Sequence, residues 1–169
     1  MTLTAIDPGK KALAWAHFDG SSLIKAGLSR FPKDAVTWDM NLAEYACYHA
    51  LQVPPADVAV LEGMFQYPPG PQAKLTPKAQ IAVANDLLQL QAIGGIVAGK
   101  VGDKVILLTA AEWKGQVDKS VTQHRLQETL DLLELTRLQA CLAKIPPSMQ
   151  HNTYDAVALG LTYLGRMRK

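Results

Sequence analysis

The chain has 169 residues, 49% of them hydrophobic, with 17 Lys and Arg against 15 acids and a formal charge of +2. This points to one domain, residues 1–169, with a real core. It argues against a disordered chain and is weak evidence for a nucleic-acid partner. Two cysteines, Cys47 and Cys141, suggest neither a disulfide framework nor a zinc site, and the absence of a leader or of an apolar run of membrane-spanning length predicts a soluble cytoplasmic protein with no membrane partner.

The first element is a hairpin. Thr2-Leu3-Thr4-Ala5-Ile6 runs up to Asp7, Pro8-Gly9 turns the chain, and Ala12 to Phe18 leads away. Ser22 to Leu28 reads as a third strand. Helical spacing from about Thr37 to Leu51 puts Trp38, Leu42, Tyr45, Ala46 and His49 on related faces, and Pro54-Pro55 ends it. Asp57 to Leu61 is a continuous apolar run closing on Glu62-Gly63, as expected of a central strand parallel to the first. Met64 to Lys78, rich in Pro, Gly, Gln and Lys, reads as a long loop. A helix from Ala79 to Gly99 is apolar on most sides, which predicts burial on two sides, in the fold or against a second subunit. Lys104 to Leu108 reads as a strand and Thr109 to Lys119 as a turn. Helical patterns follow over Ser120–Leu133 and Glu134–Lys144. Pro146-Pro147-Ser148 breaks the chain before a last helix from near His151 to Arg166. The order predicts an α/β fold whose mixed five-stranded sheet opens with an antiparallel three-strand meander and continues with parallel strands, flanked by helices.

Three carboxylates stand out: Asp7 after the first strand, Glu62 after the fourth, and Asp155 early in the last helix. Parallel neighbouring strands would put Asp7 and Glu62 at one sheet edge, roughly 5 Å apart in backbone. Clustered carboxylates repel unless cations are bound, and hard oxygen ligands favour Mg²⁺ or Mn²⁺. Two such ions, about 4 Å apart, support phosphodiester cleavage. Each acid also has a plain reading, as a turn, a strand end, or part of a helix start capped by Asn152. Phe65, Gln66 and Tyr67, just beyond Glu62, could stack on unpaired bases, or Phe65 could pack on the core. Lys74, Lys78, Lys114 and Lys119 would supply phosphate contacts, although a solvated surface role is the default for any one lysine.

Taken jointly and in order, these motifs resemble a RuvC-type Holliday-junction resolvase with an RNase H-like fold, most of all the short phage and bacterial versions. Ile6-Asp7-Pro8-Gly9 is similar to the family's opening strand and first catalytic aspartate. Leu61-Glu62-Gly63-Met64-Phe65 is similar to its strand-end glutamate with an aromatic three residues on, which in the family wedges into the junction. Trp113-Lys114-Gly115 with Lys119 resembles the stretch that touches backbone phosphates, and His151-Asn152-Thr153-Tyr154-Asp155-Ala156 resembles the final acidic helix. Where many relatives carry an acid or a His three residues before the last aspartate, this chain has Asn152, with His151 one residue earlier. Asn152 could ligate metal through its amide oxygen, and His151 could ligate or assist proton transfer.

The resemblance implies a structure-specific DNA endonuclease of recombination and repair that nicks two strands of a four-way junction symmetrically. Asp7, Glu62 and Asp155 would hold two Mg²⁺ ions in a two-fold homodimer, for which the Ala79–Gly99 helix is the candidate interface. The alternatives are an RNase H-like ribonuclease, a flap or branch nuclease, a non-catalytic junction-binding module and a phosphate-binding ATPase relative. The last is disfavoured because Lys10 and Lys11, not Thr or Ser, follow Gly9.

Overall fold

A computed structural model describes residues 1–32, 41–63, 76–114 and 119–167, with the backbone alone for 119 and 120. Strands β1 (Thr2–Asp7), β2 (Ala12–Asp19) and β3 (Ser22–Arg30) form the expected antiparallel meander. Helix α1 (Leu42–Ala50) leads into β4 (Ala56–Gly63), and α2 (Pro77–Val101) into β5 (Gly102–Thr109). Both of these strands run parallel to β1, giving one five-stranded sheet in the order β3-β2-β1-β4-β5. A short α3 (Ala110–Trp113), then α4 (Lys119–Thr129), α5 (Leu132–Leu142), a 3₁₀ turn (Pro147–Met149) and α6 (Gln150–Tyr163) complete the chain.

The period-two alternation of each strand divides the core. Leu3, Ala5, Val58 and Val60 face one layer, made by Trp113, Leu126, Leu138 and the buried length of α6. Ile6, Ala59 and Leu61 face the other, made by α1 and the C-terminal half of α2. Glycines let the helices approach. A Cβ on Gly160 of α6 would lie 2.3 Å from the Phe18 ring and 3.2 Å from Ala5 Cβ, and one on Gly94 of α2 would lie 2.8 Å from Leu61 and 2.9 Å from Pro8.

Several expected boundaries move for local reasons. β3 continues two residues past Leu28. Asn41 and Glu44 form a reciprocal capping box that starts α1 at Leu42, and the start expected near Thr37 lies outside the described residues. Thr76 caps α2, so Lys78 sits in its first helical turn rather than in a loop. Asp131 and Glu134 form another capping box, which breaks the helical stretch earlier than the expected join at Leu133–Glu134. The last helix starts at Gln150 behind Met149, which makes no side-chain cap bond, so Asn152 is an interior helical residue and not the cap. It ends at Tyr163 rather than Arg166, because Gly165 at φ 71° and the bonds Gly165 N–H to Thr162 O and Arg166 N–H to Leu161 O close a Schellman motif.

Helix α2 departs most from expectation. Its C-terminal half is docked through Ile93, Gly94, Val97, Ala98 and Val101, but Ile81 and Leu88 are 62% and 67% exposed, so it is not buried on two sides within this chain. By length and composition alone its 25 residues are apolar enough to cross a membrane, contrary to the reading that no run reaches that length. An ordinary core helix passes the same test.

Candidate active site

Asp7 ends β1, and Glu62 is the penultimate residue of β4, inside the strand rather than after it. The parallel register pairs Ala5 with Val60 and Ile6 with Leu61, so Asp7 and Glu62 are the next residues on adjacent strands. Neighbouring strands lie about 4.8 Å apart. Alternation assigns both acids to the face of Ala5 and Val60, which α6 covers.

Helix α6 brings the third acid. Gly160 lies against Ala5 of β1. Asp155 is five residues earlier, about 7.5 Å along the helix axis, and Asp7 is two residues beyond Ala5, about 6.6 Å along the strand. Both steps lead toward the same end of the sheet. Asp155 stands in the second turn of α6, past the first-turn acid positions that stabilise a helix N-terminus, so the plain helix-start reading does not account for it.

The electrostatics tie Asp155 to Glu62. Burial pushes the Glu62 carboxyl above its ordinary value, Lys114 pulls it back, Asp155 pushes it up again, and the Trp113 indole N–H pulls it down. That N–H meets no acceptor in full hydrogen-bond geometry and stays a buried donor without a partner. Its pull on Glu62 is therefore that of a nearby dipole, not of a formed bond. Lys114 Nζ lies 3.7 Å from Asp155 Oδ2 and 5.0 Å from the Trp113 ring centroid. The Thr109–Glu112 capping box starts α3, and buried Trp113 anchors its end, which delivers Lys114 to the acids.

The carboxylate oxygens and their negative charge suit a divalent cation. Among the described residues, however, no three of His, Cys, Asp and Glu stand close enough to hold a metal ion together. The cation beside Asp155 is the Lys114 ammonium. Sequence reasoning read Lys114 as a phosphate contact and gave no sign that it is a counter-ion.

The other expected site residues are scattered in what they show. His151 and Asn152 lie one turn before Asp155 on α6, both partly exposed. Lys78 is exposed on α2, and Lys119 opens α4. Phe65, Gln66, Tyr67 and Lys74 lie outside the described residues.

No protein-family model matches the sequence, and no curated protein matches it. Solved structures do. The fowlpox virus resolvase in complex with substrate Holliday junction DNA aligns at 18% identity and TM-score 0.52, over 98% of this chain and 97% of that one. The fowlpox virus Holliday junction resolvase alone aligns at 18% identity and TM-score 0.50, over 98% and 99%. A Thermus thermophilus RuvC structure aligns at 15% identity and TM-score 0.47, over 98% and 96%. Identities this low speak to architecture alone. Over nearly its whole length the chain shares the fold of the fowlpox virus resolvase.

Proposed function

We propose that this chain is a structure-specific DNA endonuclease that resolves four-way junctions by metal-dependent phosphodiester hydrolysis, with paired symmetric nicks made by a homodimer. The observation that carries this reading is Glu62, a half-buried carboxyl near the end of an interior strand, whose charge interacts with both Lys114 and Asp155, with Asp7 next in register. The fold is that of a resolvase solved with its junction substrate.

In this reading Asp7, Glu62 and Asp155 would hold two Mg²⁺ ions, with Mn²⁺ as a substitute, after closing from the described arrangement, in which no three such ligands stand close enough for one ion. Bound there, such ions would supply a nucleophilic water at neutral pH and would neutralise the departing oxyanion. The chain's own residues do the rest. Glu62 would serve as a ligand in its ionised form, against the burial that pushes its carboxyl above its ordinary value. Lys114 leaves Asp155 and turns to the phosphate. Buried Trp113 keeps the site's floor dry. Asn152 and His151, on the turn before Asp155, supply a further oxygen ligand or a proton to the leaving oxygen. Phe65, Gln66 and Tyr67, with Lys74, Lys78 and Lys119, bind the branched DNA. The dimer forms on the apolar face of α2 at Ile81 and Leu88, both exposed in the single chain.

The test is cleavage of a synthetic four-way junction with Mg²⁺ by the wild type, Asp7→Asn and Glu62→Gln. The expected result is paired nicks by the wild type, and variants that bind the junction without cutting it. Undiminished cleavage by either variant overturns the assignment. Faster cutting of an RNA–DNA hybrid or a flap than of the junction moves the substrate to the ribonuclease or branch-nuclease class. Junction binding without any cleavage makes the chain a binding module.

A further inference from the structure

The turn that follows Asp7 is gripped from the face opposite the acids. His49 of α1 is fully buried. Its Nε2 lies 3.0 Å from the Lys10 carbonyl oxygen and its Nδ1 2.7 Å from Ser29 Oγ, itself buried. A carbonyl only accepts, so Nε2 carries the hydrogen and donates, and Nδ1 accepts from the Ser29 hydroxyl. One neutral tautomer satisfies all three groups, and burial, which pushes this imidazole below its ordinary value, keeps it neutral.

Every other residue of the turn is also held, each by a different contact. A Cβ on Gly9 would lie 1.8 Å from the Ala12 carbonyl oxygen, so only glycine closes the turn. Pro8 lies against Gly94 of α2. Lys10 Nζ donates to Gln89 Oε1 at 3.1 Å and sits 5.5 Å from the Tyr45 ring centroid. The Lys11 carbonyl accepts from the Phe31 N–H at 2.9 Å. Of these contacts, His49 is the one that reaches the turn's backbone from α1 and, through Ser29, ties it to β3.

We propose that His49 is a positioning residue for phosphodiester cleavage. Through the Lys10 carbonyl it fixes the turn over residues 8–11, and so the direction in which the Asp7 carboxylate enters the site. This rests on the nuclease reading of Asp7. The Lys10 carbonyl is three residues from Asp7, so little chain is available to absorb a shift, and a misplacement of about 1 Å costs ~10²-fold in rate.

The test compares His49→Leu, which removes the donor, with His49→Gln, whose amide nitrogen can take the place of Nε2. Val53→Ala serves as a control for loosening of the same core layer, away from the turn. The expected result is a fall in kcat for junction cleavage of roughly 100-fold in His49→Leu, with junction affinity within about twofold of wild type, and recovery to within about tenfold in His49→Gln. Val53→Ala should keep its kcat. Hydrogen exchange of the Phe31 amide, which reports on the turn through Lys11, should quicken in His49→Leu and slow again in His49→Gln. Unchanged kcat in His49→Leu, no recovery in His49→Gln, or an equal loss in Val53→Ala overturns the proposal. If the wild type does not cleave, the nuclease reading fails and takes the catalytic role with it. The Phe31 exchange pattern then decides whether the clamp itself exists.

Discussion

Lys114→Met removes the ammonium 3.7 Å from Asp155 while keeping a side chain of similar length over Trp113. The two side chains are 23% and 13% exposed, so solvent screens their attraction only in part. At an effective dielectric constant of about 20, unit charges at this separation attract by about 4 kcal/mol. The dehydration that the wild-type ammonium undergoes on folding offsets much of that, so its removal leaves a net loss of folding stability of about 1–2 kcal/mol. For a domain of this size that is a fall in Tm of about 2–8 °C. Without Lys114, burial and Asp155 also raise the Glu62 carboxyl further, since its main opposing charge is gone. Divalent binding should change the opposite way. An incoming ion no longer has to displace an ammonium, and if about 1.4 kcal/mol of the attraction is recovered, Mn²⁺ binds ~10-fold more tightly. The assay is a Mn²⁺ titration followed by electron paramagnetic resonance, with melting curves in the presence and absence of the ion. The expected pattern is a metal-free variant less stable than wild type, a larger Mn²⁺-induced rise in Tm, and slower junction cleavage at saturating Mn²⁺ because the phosphate has lost its lysine. Unchanged melting with equal or weaker Mn²⁺ binding would refute the placing of Lys114 as the site's internal cation.

Three further outcomes follow at positions away from the candidate site. Arg166 donates to both carboxylate oxygens of buried Glu134 at 2.6 and 2.8 Å and to the carbonyls of Ser21 and Thr129, so Arg166→Met should cost about 3–5 kcal/mol in urea unfolding. Burial pushes the Glu134 carboxyl up, but Arg166 and the N–H groups of Leu23 and Asp131 outweigh it and hold it at about 2. The unfolded chain therefore takes up this proton first as pH falls. The stabilisation is complete above the ordinary value of 4.5 and is lost between there and about 2, and Glu134→Gln should flatten the stability–pH curve across that window. Leu88→Glu, on the exposed face of α2, should convert a dimer to a monomer in sedimentation and replace paired nicks by single ones.

The sheet was legible because its signals are local. Continuous or alternating apolar runs leading up to Asp7 and Glu62 marked where the strands are, and Pro8-Gly9 marked the meander's first turn. Helix boundaries were less legible, because competing caps lie within a few residues of one another. The Asp131–Glu134 box ended one helical stretch, and Asn152 reads as a cap in sequence although the chain enters α6 behind Met149.

By itself, then, the sequence determined which residue types end the strands and which stretches must be buried, since backbone sterics and hydrophobic period act over a few residues. Only the tertiary structure decided which groups meet. Asp155 reaches Glu62 because Gly160 lets α6 lie close on β1, Lys114 becomes their counter-ion because Trp113 is anchored beneath α6, and His49 meets the Lys10 carbonyl because α1 packs across the sheet's other face. Pairings between residues far apart in the chain depend on the depth and angle at which layers pack, and no short stretch of sequence encodes that.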